Sequence, residues 1–290
     1  MRIVLLLACV LCICSIPAIA QHEADNWYFG DHAGISFRNG SPIALTDGKL
    51  KSWESCASIS DRNTGQLLFY TDGTTLWNNR HQIMINGNGL LGGESSTQGV
   101  LIVPNPGNCF EYFIITAPDL TSTEKRTTKL HYSIVSLQNS QGEVLSKNNV
   151  IIDDVSEKLT GTLDNTGKGF WIVAHDNKKS IFYSFHITAS GFDTTPVIST
   201  YVPEMGLNSF AAGYMKISPN RTKIALASSP TYIGQNTSLS LFDFNASVGK
   251  ITNYIRLDND TQKHTTFYGL SFSQDNTKLY ATDWTTFIYQ

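Results

Sequence analysis

"CASISDRNTGQLLFYTDGTTLWN", residues 56–78, holds apolar runs separated by turn-forming clusters. Two of the runs, Leu67–Thr71 and Thr74–Trp77, are rich in Leu, Phe, Tyr, Thr and Trp and stand two residues apart, across Asp72-Gly73. A two-residue Asp-Gly link between apolar runs predicts a β-hairpin with a type I′ turn, which needs positive φ at both central positions. On this reading Asp72 reverses the chain and is not a catalytic carboxylate.

The same grammar extends in both directions. Helical periodicity is nearly absent. Short runs of Val, Ile, Thr, Tyr and Phe bounded by Gly, Asn, Asp and Ser predict further strands. They fall at Gln66–Thr71, Gly99–Val103, Tyr112–Thr116, Leu130–Val135, Phe170–Ala174, Ile181–Ile187, Lys223–Ala227 and Leu239–Phe244. The polar stretch 119–129 predicts a long loop.

A strand–turn–strand unit recurs, its first strand ending at Ser60, Val103, Leu163, Ser218 and Ser273, spaced 43, 60, 55 and 55 residues apart. Such a period belongs to β-propeller repeats rather than to shorter solenoid repeats. Each unit leaves room for two more strands, and a four-stranded unit must stack on its neighbours to bury its faces. The expected fold is all-β: a propeller of four-stranded blades, about five repeat units visible and incomplete. "NWYFG" and "AGISF", near the start, read as strands with no blade of their own. Either they complete the last blade of a five-blade ring, or the chain is a truncated piece of a larger ring.

Residues 1–20, MRIVLLLACVLCICSIPAIA, carry one basic residue, an apolar stretch and Ala18-Ile19-Ala20. This is the pattern of a secretory signal peptide, with cleavage between Ala20 and Gln21. No linker divides residues 21–290, which are expected to form one propeller domain with no membrane span. Losing Arg2 takes the formal charge from −3 to −4, and no basic run suits nucleic acid. Cys9, Cys12 and Cys14 leave with the signal. Cys56 and Cys109 remain, as one disulfide in an oxidising compartment or as two buried free thiols.

No motif implies a cofactor or metal. "GNGLLG", Gly87–Gly92, matches a dinucleotide fingerprint in letters, but "GESSTQGVLIVP" follows where a helix is required. The glycines are expected to shape a surface loop. The histidines, at 22, 32, 81, 131, 175, 186 and 264, show no ligand spacing. His175-Asp176 reads as a solvated or hydrogen-bonded loop pair, and Asp258–Gln262, "DNDTQ", as a turn rather than half a calcium loop. Trp27, Trp53, Trp77, Trp171 and Trp284 are expected to pack between blades rather than to line a sugar site.

"NWYFGDHAGISF", the 56–107 block, "GYMKISPNRTKIALA" and "YGLSFSQDNTKLYATD" resemble the N-terminal β-propeller of large Bacteroidota surface proteins. The last two segments are also similar to the looser propeller repeats of the TolB and PD40 kind. The resemblance spans essentially all of residues 21–290. It implies export by a gliding-motility or type IX secretion route, and a binding or structural role without catalytic residues. The expected function is therefore a non-enzymatic interaction module at the cell surface, with a protein or glycan partner. Two alternatives stand beside it: a secreted carbohydrate-active hydrolase or lyase, and a periplasmic component of the TolB type. The enzyme reading requires two or three carboxylates at one mouth of the channel, ringed by Trp or Tyr.

Overall fold

The structure, a computed structural model, describes residues 22–120, 127–202, 211–229, 238–258, 266–283 and 287–290. The signal segment, with Ala20 and Gln21, lies outside the described residues, as do His264 and Trp284. The fold is all-β. No described helix is long and apolar enough to cross a membrane.

Strands are numbered in chain order. The first sheet holds β1 (Asn26–Phe29), β2 (Ala33–Ser36) and β3 (Ile43–Leu45). Four antiparallel four-stranded units follow. They are β4 (Ala57–Ser60) to β7 (Ile83–Asn88), with β5 (Leu67–Thr71) and β6 (Thr75–Asn78) between them; and β8 (Val100–Pro104), β9 (Glu111–Thr116), β10 (Leu130–Ser136) and β11 (Glu143–Ile152). The next are β12 (Val155–Leu163), β13 (Phe170–Asp176), β14 (Ile181–Thr188) and β15 (Gly191–Thr200); and β16 (Met215–Ile217), β17 (Lys223–Ser228), β18 (Ser238–Asn245) and β19 (Lys250–Arg256). β20 (Phe267–Phe272), β21 (Leu279–Asp283) and β22 (Ile288–Tyr289) form the last sheet.

The repeat read from the sequence is the repeat of the fold. Each aligned residue lies within one residue of the end of the first strand of a unit. The first two four-stranded units are joined at their outer edges by a single parallel pairing, Glu143 with Ile85. Between units the sheets bury apolar faces. Val103, Phe113, Ile172 and Phe185 pack the second unit on the third; Trp171, Phe182, Ile224 and Phe242 pack the third on the fourth.

The hairpin turns rest on side chains. Asp164, Asn220 and Asp275 each accept from the backbone N–H and hydroxyl of the Thr two residues on. Asp61 does the same for Thr64. These carboxylates and amides close turns by offering a local alternative to ladder bonds.

The link at Asp72 departs from the expected type I′ turn. Thr71 pairs with Leu76, so four residues intervene, and of Asp72 and Gly73 only Gly73 has positive φ (+85°). Asp72 Oδ1 instead accepts from Thr74 N, Thr74 Oγ1 and Thr75 N at 2.8, 2.8 and 2.7 Å. Asp72 is a turn residue, as expected, by a different geometry.

The N-terminal strands do not complete the last blade. They form their own sheet with β3, and Tyr28 stacks on Tyr70 of β5, ring centroids 4.6 Å apart. The bonds Ser60 N to Glu23 O and Ser52 N to Gly30 O run β1 antiparallel to β4. The first strands of the five later units, by contrast, run parallel to one another around a common axis. Corresponding bonds link Gln98 to Glu157, Glu157 to Ala211 and Tyr214 to Tyr268.

Candidate functional site at one end of the axis

All five parallel inner strands begin at the same end of the molecule, so their first residues converge. Gln98 N donates to Glu157 O, Glu157 N to Ala211 O, and Tyr214 N to Tyr268 O, at 3.1, 3.0 and 2.8 Å. The Gln98 side chain reaches past the third unit to bond Met215 O and Met215 N.

Glu157 is the centre of this end. The β12–β13 register passes from Val155–Asp176 to Leu159–Ala174, leaving Ser156, Glu157 and Lys158 opposite His175 alone. Such a bulge re-aims side chains that a regular strand would alternate. Glu157 is fully buried. Its Oε2 accepts from Thr97 N and Thr97 Oγ1 at 3.1 and 3.0 Å, and its Oε1 accepts from Leu120 N at 2.8 Å. Thr97 Oγ1 lies 3.1 Å from the Tyr268 hydroxyl, which donates to Glu54 Oε2 at 2.7 Å. Four units are thereby wired through one Thr.

The electrostatics follow from burial. Desolvation pushes Glu157 up to about 7 against its own hydrogen bonds, and the Asp119 carboxylate adds to the rise. Partial desolvation raises Glu54 too, exposed though its side chain is, with the Tyr268 hydrogen bond opposing and Asp119 again contributing. Lys158, fully buried and donating to Ala212 O at 2.6 Å, is pushed down to about 7 by burial. His175 is driven down to about 3, first by burial and then by the Lys158 charge. Its Nδ1 lies 2.6 Å from Asp176 O and its Nε2 3.1 Å from the Tyr201 hydroxyl. That pairing puts the ring proton on Nδ1 and makes Nε2 the acceptor. The Lys216 ammonium sits 5.8 Å from the Tyr214 ring centroid, within cation–π range.

Chemically the cluster has two layers. Glu157 is a clasp whose two oxygens are engaged by the protein's own donors. Outside it lie groups a partner can reach: the exposed Glu54, the half-buried Tyr268, and Trp53, 84% exposed beside Glu54. Among the described residues no group of three or more His, Cys, Asp or Glu side chains is arranged to hold a metal ion.

The residues singled out in the sequence are placed elsewhere. Cys56 and Cys109 are free thiols, Cys56 half-buried and Cys109 exposed, so neither the disulfide nor the buried pair is found. Cys56 precedes β4 at the axial end, whereas Cys109 sits in the β8–β9 turn at the opposite end of its unit. His175 is neither in a loop nor solvated: it is buried within β13. His81 bonds the Tyr70 hydroxyl and Asp47 where the first sheet meets the next.

Gly87 and Asn88 belong to β7, and Leu90 is fully buried, so the Gly87–Gly92 stretch is strand end and packed turn rather than a surface loop. Asp258 pairs with Arg256 at 2.8 Å; residues 259–262 lie outside the described residues. Trp77 and Trp171 pack as expected, while Trp27 and Trp53 are exposed. Glu54, Thr97, Asp119, Glu157 and Tyr268 were not singled out. The available signal was positional: Glu54, Thr97-Gln98 and Glu157-Lys158 stand at the head of the first strand in successive copies.

No family model matches the chain, and none of the curated proteins matches it. Among solved structures it is similar to a luciferin-regenerating enzyme, with 14% identity and TM-score 0.46, over 81% of this chain and 70% of that one. A Bacteroides fragilis protein assigned as a 6-phosphogluconolactonase aligns with 10% identity and TM-score 0.40, over 86% and 82%. The Dos1 propeller aligns with 10% identity and TM-score 0.36, over 86% and 62%.

Proposed function

We propose that the protein is an exported, non-enzymatic propeller that serves as an interaction module at the cell surface. One observation carries this reading. Glu157, the acid around which the axial end is built, is buried with both its oxygens engaged by Thr97 and Leu120, which suits a structural clasp. The groups left facing outward, Trp53, Glu54 and Tyr268, are of a kind that binds a protein or glycan partner. Export rests on the signal-like residues 1–20. The gliding-motility or type IX route rests on the family resemblance.

A second reading, the carbohydrate-active hydrolase or lyase, is favoured by the gathering of Glu54, Asp119 and Glu157 beside Tyr214 and Tyr268. Glu54 and Glu157 are joined through Tyr268 and Thr97 by contacts of 2.7, 3.1 and 3.0 Å. Reducing-sugar release and unsaturated-product absorbance from plant and bacterial polysaccharides decide between them. The interaction module releases nothing above a heat-treated control. Turnover lost in Glu54→Gln would establish the enzyme. Fractionation of the native cells, with the protein in the envelope or medium, tests export.

A further inference from the structure

Away from the axis, a groove of about 180 Å³ opens between the outer strands β15 and β19. That is smaller than an enclosed small-ligand site, about 300–1,000 Å³, so a ligand would lay only part of itself in it. Its origin is a slip in pairing. The β18–β19 register passes from Leu241–Ile255 to Asp243–Thr252, so Asn253 and Tyr254 stand opposite Phe242 alone, with Asn253 in the left-handed region at φ 54°. The bulge turns Tyr254 toward the neighbouring sheet, where it stacks on Tyr201 with ring centroids 5.3 Å apart. Phe182 and Phe242, both buried, close the back in an edge-to-face contact at 4.9 Å.

The groove is rigid where it matters. The Tyr201 hydroxyl is held by His175 Nε2 at 3.1 Å, and Ile251 N donates to Ser199 Oγ at 3.0 Å, pinning the two sheets together. The Tyr254 hydroxyl has no partner among the described residues. Thr200, Thr252 and Asn253 are exposed at the rim, and among the described residues no acidic or basic side chain lines the groove. A charged ligand would find no counter-charge there. A purely apolar one would leave the rim hydroxyls unused; the Asn253 amide N–H already donates to Asp243 Oδ2, which leaves its carbonyl oxygen to a ligand. A sugar ring presents C–H groups on its face and hydroxyls at its edge, which matches aromatic walls with a neutral polar rim.

We infer that this groove binds a neutral hexose-based oligosaccharide, one ring lying on the tyrosine wall and its hydroxyls meeting Thr200, Thr252 and Asn253. The site is separate from the axial end and does not depend on what that end does. Isothermal titration calorimetry with cellohexaose, maltohexaose and laminarihexaose tests it, with hexagalacturonate as the charged comparison. At least one neutral probe is expected to bind. Tyr254→Ala should weaken that binding about tenfold, while Tyr254→Phe, which keeps the stacking face, holds it within about threefold. Should Tyr254→Ala fail to fold, Thr252→Glu at the exposed rim places a charge in the groove and is expected to weaken binding as well. Binding of hexagalacturonate alone, of no neutral probe, or of a neutral probe equally well by the substituted protein would overturn the assignment.

Discussion

Tyr268, in the first strand of the last sheet, donates its hydroxyl to Glu54 Oε2 at 2.7 Å and so joins residues 214 positions apart. The bond is thus a measure of how the axial end is held. Tyr268→Phe removes the donor and keeps the ring. Because Glu54 is exposed and can turn to water, the expected loss is about 1 kcal/mol, below the usual worth of a charge-assisted bond. Glu54→Gln keeps an acceptor and should cost less. Urea unfolding of the two variants checks this, and an unchanged midpoint in Tyr268→Phe would sink it.

Asp72 separates a turn role from a charge role. Its Oδ1 collects three donors, and Asn can present the same carbonyl oxygen. Asp72→Asn is expected to remain close to wild type, and Asp72→Ala to lose about 1 kcal/mol as half-buried donors lose their acceptor. A catalytic carboxylate would give the opposite ranking: stability kept in both, function lost in both.

Gly249 and Gly167 share a φ of +67°, yet their surroundings differ. A Cβ at Gly249 would meet the Trp171 ring at 2.5 Å, whereas at Gly167 nothing lies within 4 Å. Trp171 cannot yield easily, because its Nε1 donates to Ala246 O at 2.8 Å and its ring stacks on His186. Gly167→Ala should therefore cost only the left-handed conformation, about 1–2 kcal/mol. Gly249→Ala should cost clearly more, with blunted Trp171 fluorescence changes on unfolding. Equal losses would mean that Trp171 moves aside freely.

The strands were legible wherever alternation and turn chemistry coincide. Lys223–Ser228 and Leu130–Ser136 differ from their expected bounds by a single residue, because the apolar-rich runs IALA and LHYSIV end in Ser, with Asn220 before the first and Asn139 after the second. β3 escaped notice because Ile43-Ala44-Leu45 is too short to show a period. The Asp72 turn was misread because Thr71 Oγ1 bonds Gly73 N and Thr75 O, so side chains replace the backbone geometry that the two-letter signal implies. The axial end was illegible for a different reason. Glu54, Thr97, Glu157 and Tyr268 come from four units, and only the tertiary fold brings them within reach. The β15–β19 groove depends on a one-residue slip that no local pattern records.

The two cysteines give a chemical check on the fold. Burial raises the Cys56 thiol, with the Asp72 carboxylate adding to the rise, while Cys109 is exposed. Thiolate is the reactive form, so Cys109 should alkylate first and Cys56 slowly, in native buffer. Intact mass should not change on reduction, and a chain beginning at Gln21 should titrate two thiols once unfolded. A gain of two mass units on reduction would show the pair to be bonded and the separation of the two ends to be wrong.

Glu157 and Lys158 should leave opposite marks on stability against pH. Glu157, held up to about 7 in the fold, keeps a proton that an unfolded carboxyl releases near 4.5. Its contribution is present below that lower value and is lost as pH rises toward 7. Lys158, held down to about 7, refuses a proton that the unfolded chain takes up near 10.5, so its contribution is present at high pH and lost as pH falls toward neutrality. His175, kept neutral down to about 3, acts against Glu157, losing stability as pH falls from 6.5. The Glu157 contribution is therefore read as a difference between proteins. Urea midpoints at about pH 5, 7 and 9 should show Glu157→Gln losing more stability relative to wild type at pH 5 than at pH 7. Lys158→Met should lose more relative to wild type at pH 9 than at pH 7. Differences that stay constant with pH would mean that neither side chain changes its protonation on folding, and that the axial clasp carries its charges as they are in water.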